Sequence, residues 1–278
     1  MSEPWVLYDV KDGVATITLN RPERLNPLGH GPDSMQRAIV DRLREADADD
    51  AVGCVVVTGS GRAFSSGGDV SAGRKLDTGL DWYWFLTEED VDNELIRELR
   101  KPVIGAINGM CYGAALLMAA HFDILLASSE ARIGLIETRF GGTGAEALNY
   151  LVGPQWAKFM ALSGELLSAE KAKEIGLVLE VFPPELLADK ARDLGRRIAS
   201  MPRETMIMNR RVINVGMNMS GWSAQKAAGM AFNAATNSCH AEHRAWNGER
   251  FKDLREQGWS RYKEIRDAPF TPSWFDTP

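Results

Sequence analysis

The chain has 278 residues, 45% of them hydrophobic and 25% charged, a composition ordinary for a folded globular protein and sufficient for a sizeable core. Its net charge of −6, from 32 basic and 38 acidic residues, excludes a general attraction to nucleic acid or to an anionic membrane. Cys54, Cys111 and Cys239 are too scattered for a disulfide framework or a zinc site, and no basic stretch leads into an apolar one at the N-terminus. Nor does any apolar run approach about 18 residues, so the sequence predicts a cytoplasmic protein without a membrane partner.

In chain order, Asp12-Gly13 predicts a hairpin turn into a half-buried strand over Val14–Leu19, where VATITL alternates. Met35, Ala38, Ile39 and Leu43 recur at helical spacing and predict a helix over Ser34–Ala48, followed by a buried strand over Val52–Thr58. Next comes GRAFSSGGDV, Gly61–Val70, whose small residues at a strand end let backbone N–H groups approach a ligand or another backbone. A helix is expected near Glu88–Leu99, a strand over Pro102–Ile107, a small-residue turn at Asn108-Gly109, a helix from about Gly113 to His121 and a strand over Phe122–Leu126. Strands alternating with helices imply the α/β class, with a mainly parallel sheet covered on both faces.

After about Leu148 the strand signal fades. Helices are predicted over Gln155–Ser163, Ala169–Ile175 and Leu186–Ala199, with Ser168 as an N-cap and Gly176 as a C-cap. From Glu204 onward, Met206, Met208, Met217, Met219, Met230, Trp222 and Phe232 supply apolar area with no sheet to cover; it is either helical core or a layer against another subunit.

The turns at Ala63–Asp69 and Asn108–Ala115 both follow a buried strand and precede a helix, at the sheet edge where open α/β folds bind ligands. Two sets of unpaired helix N-terminal N–H groups aimed at one point make an oxyanion hole; the alternative is that Gly and Ser merely permit tight turns. GxxxxGK[ST], and GxGxxG after a strand, are both absent.

AFSSGGD (Ala63–Asp69), INGMCYGAALLMAAHFDILLAS (Ile107–Ser128), LNRPERLNPL (Leu19–Leu28) and SAEKAKEIGLVLEVFP (Ser168–Pro183) together closely resemble, in order and spacing, the signatures of the crotonase superfamily, the enoyl-CoA hydratases and isomerases. The resemblance runs from about residue 5 to about residue 267. It implies a crotonase-like spiral of ββα units over residues 1–200, a helical C-terminal oligomerisation region over 201–278 and a homotrimer or dimer of trimers. It also implies an acyl-CoA thioester as substrate, with no cofactor beyond the CoA moiety. The two oxyanion N–H groups of the family fall on Ser66 and Ala114; Arg24 and Leu25 lie where the family holds CoA, and Ala63, Ser66 and Asp69 line its path. Asp69 has a plainer alternative role, capping the helix that follows.

Two-carboxylate hydratases of this superfamily carry one Glu on the helix after the second oxyanion residue and another further along. Here the first position is Leu117 and the second is Glu137, set among Ile133, Leu135, Ile136 and Phe140, where desolvation would poise it near neutrality; its alternative is an ion pair with Arg132 or Arg139. One carboxylate suffices to carry a proton between C2 and C4 of an enolate, so isomerisation is the economical reading, with weak hydration beside it. An apolar first position followed by IGLxET also resembles the Δ3,Δ2-enoyl-CoA isomerase branch.

Hydratase-lyases or C–C hydrolases of bulky or aromatic acyl-CoAs are an alternative, for which Trp82–Phe85 would line the acyl pocket; an inactive CoA-binding or assembly protein is another. The loop after Glu137 is shortened to Gly141–Gly144, and Glu146 beside it is either a second acid or a helix N-terminal carboxylate. His121, His240 and His243 lack the spacing of a metal site or a nucleophile relay, so no metal is expected.

Overall fold

A computed structural model of the chain describes residues 4–29, 31, 33–69, 76–239 and 242–276; Val70 and His240 lie outside the described residues. The N-terminal half contains β1 (Val6–Lys11), β2 (Val14–Leu19), α1 (Met35–Ala48), β3 (Cys54–Gly59), β4 (Ala63–Ser65) and α2 (Gly79–Glu98). It continues with β5 (Val103–Ile107), β6 (Met110–Tyr112), α3 (Ala114–Ala119), β7 (Ile124–Ser128) and β8 (Arg132–Gly134). A 3-10 turn at Ile136–Phe140 leads to α4 (Leu148–Ser163), β9 (Leu167–Ser168), α5 (Ala169–Glu174), β10 (Glu180–Phe182) and α6 (Pro184–Ala199). The C-terminal part is helical: α7 (Arg203–Met219), α8 (Trp222–Ser238), α9 (Phe251–Glu256) and α10 (Trp259–Asp267).

The strands form two sheets, ordered β1-β2-β3-β5-β7-β10 and β4-β6-β8-β9. In the larger, β1 and β2 are an antiparallel hairpin about Asp12 and Gly13, both at positive φ, and every later strand joins in parallel. After the hairpin, β3–β4 and β5–β6 each place one strand in each sheet and then give a helix, which is the expected ββα spiral. Side chains alternate across the sheet as a pleat requires. Val55 and Val57 enter the main core with α1, whereas Cys54 and Val56 face Leu187 and Ala191 of α6.

Three expectations need correction. The sheet does not end near Leu148, because β10 docks on β7 in parallel. Strands β4, β6, β8 and β9, each two or three residues long, are too short to leave a periodic signal. Helix α2 begins at Gly79, not near Glu88, behind a capping box in which Thr78 accepts from the Asp81 N–H at 3.1 Å and Asp81 accepts from the Thr78 N–H at 2.8 Å. Thr78, not Asp69, is therefore its N-cap. Ser168 does cap α5, accepting from the Lys171 N–H, and Gly176 follows its end at φ 81°.

The C-terminal helices return onto the core. Arg210 of α7 is buried and donates to both Asp123 oxygens, at 2.7 and 2.9 Å, and to the carbonyls of Ile96, Arg97 and Leu99 at the end of α2. Trp222, the first residue of α8, is fully buried; its indole N–H donates to Glu94 of α2 at 2.7 Å and the Arg97 guanidinium lies 4.2 Å above its ring. Thus α8 is held along α2.

Candidate active site

The first turn is laced to the loop at Arg21–Leu28. Asn26 sits at φ 51°, fully buried, with its amide nitrogen within 2.9 to 3.2 Å of the carbonyls of Ser60, Ala63 and Phe64 and its oxygen accepting from the Arg21 N–H. The Leu28 N–H donates to Gly67 and the Ser66 N–H donates to Leu25, both at 2.9 Å. Asp69 pairs with Arg21 at 3.6 Å and Arg24 at 4.0 Å. Arg24, Leu25, Ser66 and Asp69 are thereby joined, whereas the expected lining residue Ala63 is buried in β4 with its carbonyl taken by Asn26 and Asn108.

The second turn approaches the first. A Cβ built on Gly67 would lie 2.6 Å from the Tyr112 carbonyl oxygen and 3.5 Å from the Ala114 nitrogen, so glycine is what allows the two backbones to meet. Gly113 adopts φ 55°, ψ −122°, and a Cβ there would lie 1.4 Å from Glu137 Oε1. The Ala114 N–H consequently donates to Glu137 Oε1 at 2.8 Å. The methyl of Ala114 leaves that amide in place.

Glu137 reaches this point from the 3-10 turn, whose flanks are pinned to the end of α4 by Thr138 Oγ1 on Ala161 O (2.6 Å) and Arg139 Nε on Gly164 O (2.9 Å). Its Oε2 is shut away from solvent with no hydrogen-bond partner among the described residues. Burial raises the Glu137 carboxyl above its ordinary value, while its own amide, the Ala114 N–H and the more distant Arg266 oppose the rise. Arg139 pairs with Asp267 at 3.0 Å rather than with Glu137, and Arg132 is exposed. The two amides are not an open pair. Ala114 faces the acid and Ser66 faces Leu25, a disposition that depends on chain packing and that residue spacing does not reveal.

Beyond Glu137 lies a mainly apolar cavity of about 600 Å³, lined by Leu117 and Leu135, by Glu137 and Glu146, and by Ala157 of α4 and Phe232 of α8. A neighbouring acid absent from the sequence expectations is Glu89, on the α2 face that continues through buried Asn93 and Ile96. Burial, then the nearby charge of Glu137, push its carboxyl up to about 7; Asp90 and Glu146 push the same way and Lys226 opposes.

A sequence model of the enoyl-CoA hydratase/isomerase family matches residues 9–273. The chain belongs to that family. Among its relatives, the 1,2-epoxyphenylacetyl-CoA isomerase of Escherichia coli K12 is 35% identical over 217 residues, covering 76% of this chain and 82% of that protein. A mitochondrial enoyl-CoA hydratase from Pongo abelii is 33% identical over 215 residues, covering 74% and 71%. In three dimensions the chain superposes on the crystal structure of an enoyl-CoA hydratase/isomerase from Xanthobacter autotrophicus Py2 with a TM-score of 0.88 at 29% identity, covering 97% of this chain and 99% of the other. Crotonase-superfamily membership, the α/β spiral and an enzyme of the isomerase or lyase class follow from these findings.

Within the enoyl-CoA hydratase/isomerase frame, two side-chain expectations change. Trp82–Phe85 lies on α2 and does not line the cavity; Trp84 is 59% exposed and Trp82 packs edge-on against Phe85 at 5.8 Å. His121 does acquire acidic neighbours, because folding brings its imidazole and the carboxylates of Asp90 and Glu94 within 4.8 Å of one another. Lys226 pairs with Asp90 and Arg97 with Glu94, so cations already neutralise this cluster and it serves as the α2–α3–α8 joint. His243 packs on Gly141, where a Cβ would lie 1.9 Å from its Nδ1. No helix among the described residues is long and apolar enough to cross a membrane.

Proposed function

We propose that this enzyme acts on an acyl-CoA thioester by forming its enolate, with Glu137 as the group that carries the proton and the Ala114 N–H as the principal donor to the thioester oxygen. The observation that carries the proposal is the 2.8 Å hydrogen bond from Ala114 to Glu137 Oε1, on a carboxylate whose Oε2 is unpartnered and whose residue lines a mainly apolar cavity.

The Ala114 N–H is a fixed donor at the N-terminus of α3. When the thioester oxygen takes this donor it displaces Glu137, and a carboxylate losing a charge-assisted hydrogen bond of about 2 kcal/mol becomes correspondingly more basic next to C2. Substrate binding thus prepares both partners of the reaction at once: the amide receives negative charge developing on oxygen, and the freed carboxylate removes the C2 proton that generates it. Returning that proton to C4 moves a 3,4 double bond to the 2,3 position, and nothing is oxidised or reduced.

The CoA moiety binds against Arg24, Leu25 and Asp69. Contact there draws the Leu25 carbonyl away from the Ser66 N–H and supplies the second donor. No further cofactor is required. The exposed Met208, Val212, Ile213 and Met219 on α7 support a role for the C-terminal region in a homotrimer or dimer of trimers. Relatives named as a CoA-ester isomerase and as an enoyl-CoA hydratase support an acyl-CoA thioester as the substrate class.

The test is conversion of a 3-enoyl-CoA to the 2-enoyl isomer, followed by product analysis, in wild type and Glu137→Gln. Conversion that falls by about a thousandfold, with CoA affinity retained, supports the assignment. Unchanged turnover removes Glu137 from the mechanism.

A further inference from the structure

The position at which two-carboxylate members of the superfamily carry their other acid is Leu117, and that side chain cannot move a proton. Leu117 packs against the shortened loop after Glu137: a Cβ built on Gly144 would lie 3.0 Å from its Cδ1. The loop turns at Gly141 (φ 95°) and Gly144 (φ 140°) and delivers Glu146 to the same cavity that Leu117 and Glu137 line. Glu146 is seated on α8, where a Cβ on Gly229 would lie 2.5 Å from its Oε1 and 3.1 Å from its Oε2. A side chain at 229 would therefore push the carboxylate out of this place. Two polar residues line the same cavity, Gln225, one helical turn before Gly229, and Asn149, whose amide donates to the Gln225 oxygen at 3.5 Å.

We infer that Glu146 is the second proton-transfer group of this site, restoring from the loop the function that Leu117 cannot supply, and that the enzyme hydrates 2-enoyl thioesters with Glu137 and Glu146 as its carboxylate pair. The inference rests on Glu137 exchanging the proton at C2. In hydration, the Glu146 carboxylate takes a proton from water as the water oxygen bonds to C3, and the C2=C3 π electrons move to the thioester oxygen. Glu137, in its acid form, then protonates C2 as the enolate collapses. The product is a 3-hydroxyacyl thioester. Glu146 ends protonated and Glu137 ionised, and exchange with solvent resets both.

The experiment measures two reactions in parallel: hydration of a short 2-enoyl-CoA by loss of its conjugated absorbance, and C2–H exchange of the saturated acyl-CoA in D2O, which reports Glu137 alone. For Glu146→Gln, hydration is expected to fall about 100-fold or more while exchange falls at most about fivefold. Gly229→Ala, which favours the helix yet displaces the Glu146 carboxylate without removing its charge, is expected to show the same split. Glu137→Gln should lose both reactions, so failure of the C2 assignment appears as exchange surviving in that variant. Hydration by Glu146→Gln within threefold of wild type, equal loss of hydration and exchange in it, or a wild type that exchanges but does not hydrate would each overturn the role of Glu146.

Discussion

Replacing Glu89 with Gln removes a carboxylate whose ionisation the fold opposes, and the consequence is a measurable change in how stability depends on pH. Folding shifts this group from an ordinary 4.5 to about 7, through burial first and the charge of Glu137 second. A carboxyl whose folded value exceeds its unfolded value binds its proton more tightly in the native state. Its stabilising contribution is therefore fully present below about pH 4.5 and is lost as pH rises through about 7. The ceiling is roughly 3 kcal/mol, and partial exposure together with sharing of the field among Glu137, Asp90 and Glu146 reduces the expected effect to about 1–2 kcal/mol. In a chain of this size that corresponds to about 3–6 °C in Tm. Urea unfolding at pH 5 and pH 8 should show wild type losing about 1–2 kcal/mol more than Glu89→Gln across that interval. Identical losses in the two proteins would refute the placement of Glu89 against Glu137.

Two further substitutions probe the backbone of the site. Gly113→Ala places a methyl where Glu137 Oε1 lies and asks a non-glycine residue to hold φ 55°; enoyl-CoA turnover should fall about 100-fold or more, while circular dichroism retains the helical signal. Asn26→Ala deprives the Ser60, Ala63 and Phe64 carbonyls of their donor; equilibrium unfolding should record a loss of roughly 2–3 kcal/mol, and KM for acyl-CoA should rise several-fold as the Arg24–Leu25 loop loosens.

Most of the larger sheet was legible because its strands are either buried Val/Ile runs, as in β3 and β5, or the alternating β2 behind an Asp-Gly turn. The smaller sheet was not, since a strand such as Met110–Tyr112 is shorter than one period of any hydrophobic pattern. The first nine residues of α2, Gly79–Thr87, were missed because the aromatic run Trp82–Phe85 obscures the helical period, although Thr78 and Asp81 already spelled its cap. At the site, the apolar neighbours of Glu137 were visible, but it was the family resemblance that singled it out over an ion pair with Arg132 or Arg139. Glu89 did not stand out, because its environment is built by residues 48 and 57 positions away, Glu137 and Glu146, and only the packing of α2 brings them near. Asn26 carried a signal, an Asn beside Pro in a loop, but its task of tying three carbonyls is tertiary. The acceptors that occupy Ser66 and Ala114 were equally invisible, as no spacing rule pairs Leu25 with Ser66 or Glu137 with Ala114.

The central claim is that a thioester oxygen takes the Ala114 amide from Glu137 and thereby frees the acid for C2. A crystal structure with a non-reactive acyl-CoA analogue measures this directly. The account predicts a thioester oxygen about 2.7–3.1 Å from the Ala114 nitrogen and a Glu137 oxygen within hydrogen-bond reach of a proton on C2. An analogue bound with its thioester oxygen elsewhere, and Glu137 still accepting from Ala114, would contradict it.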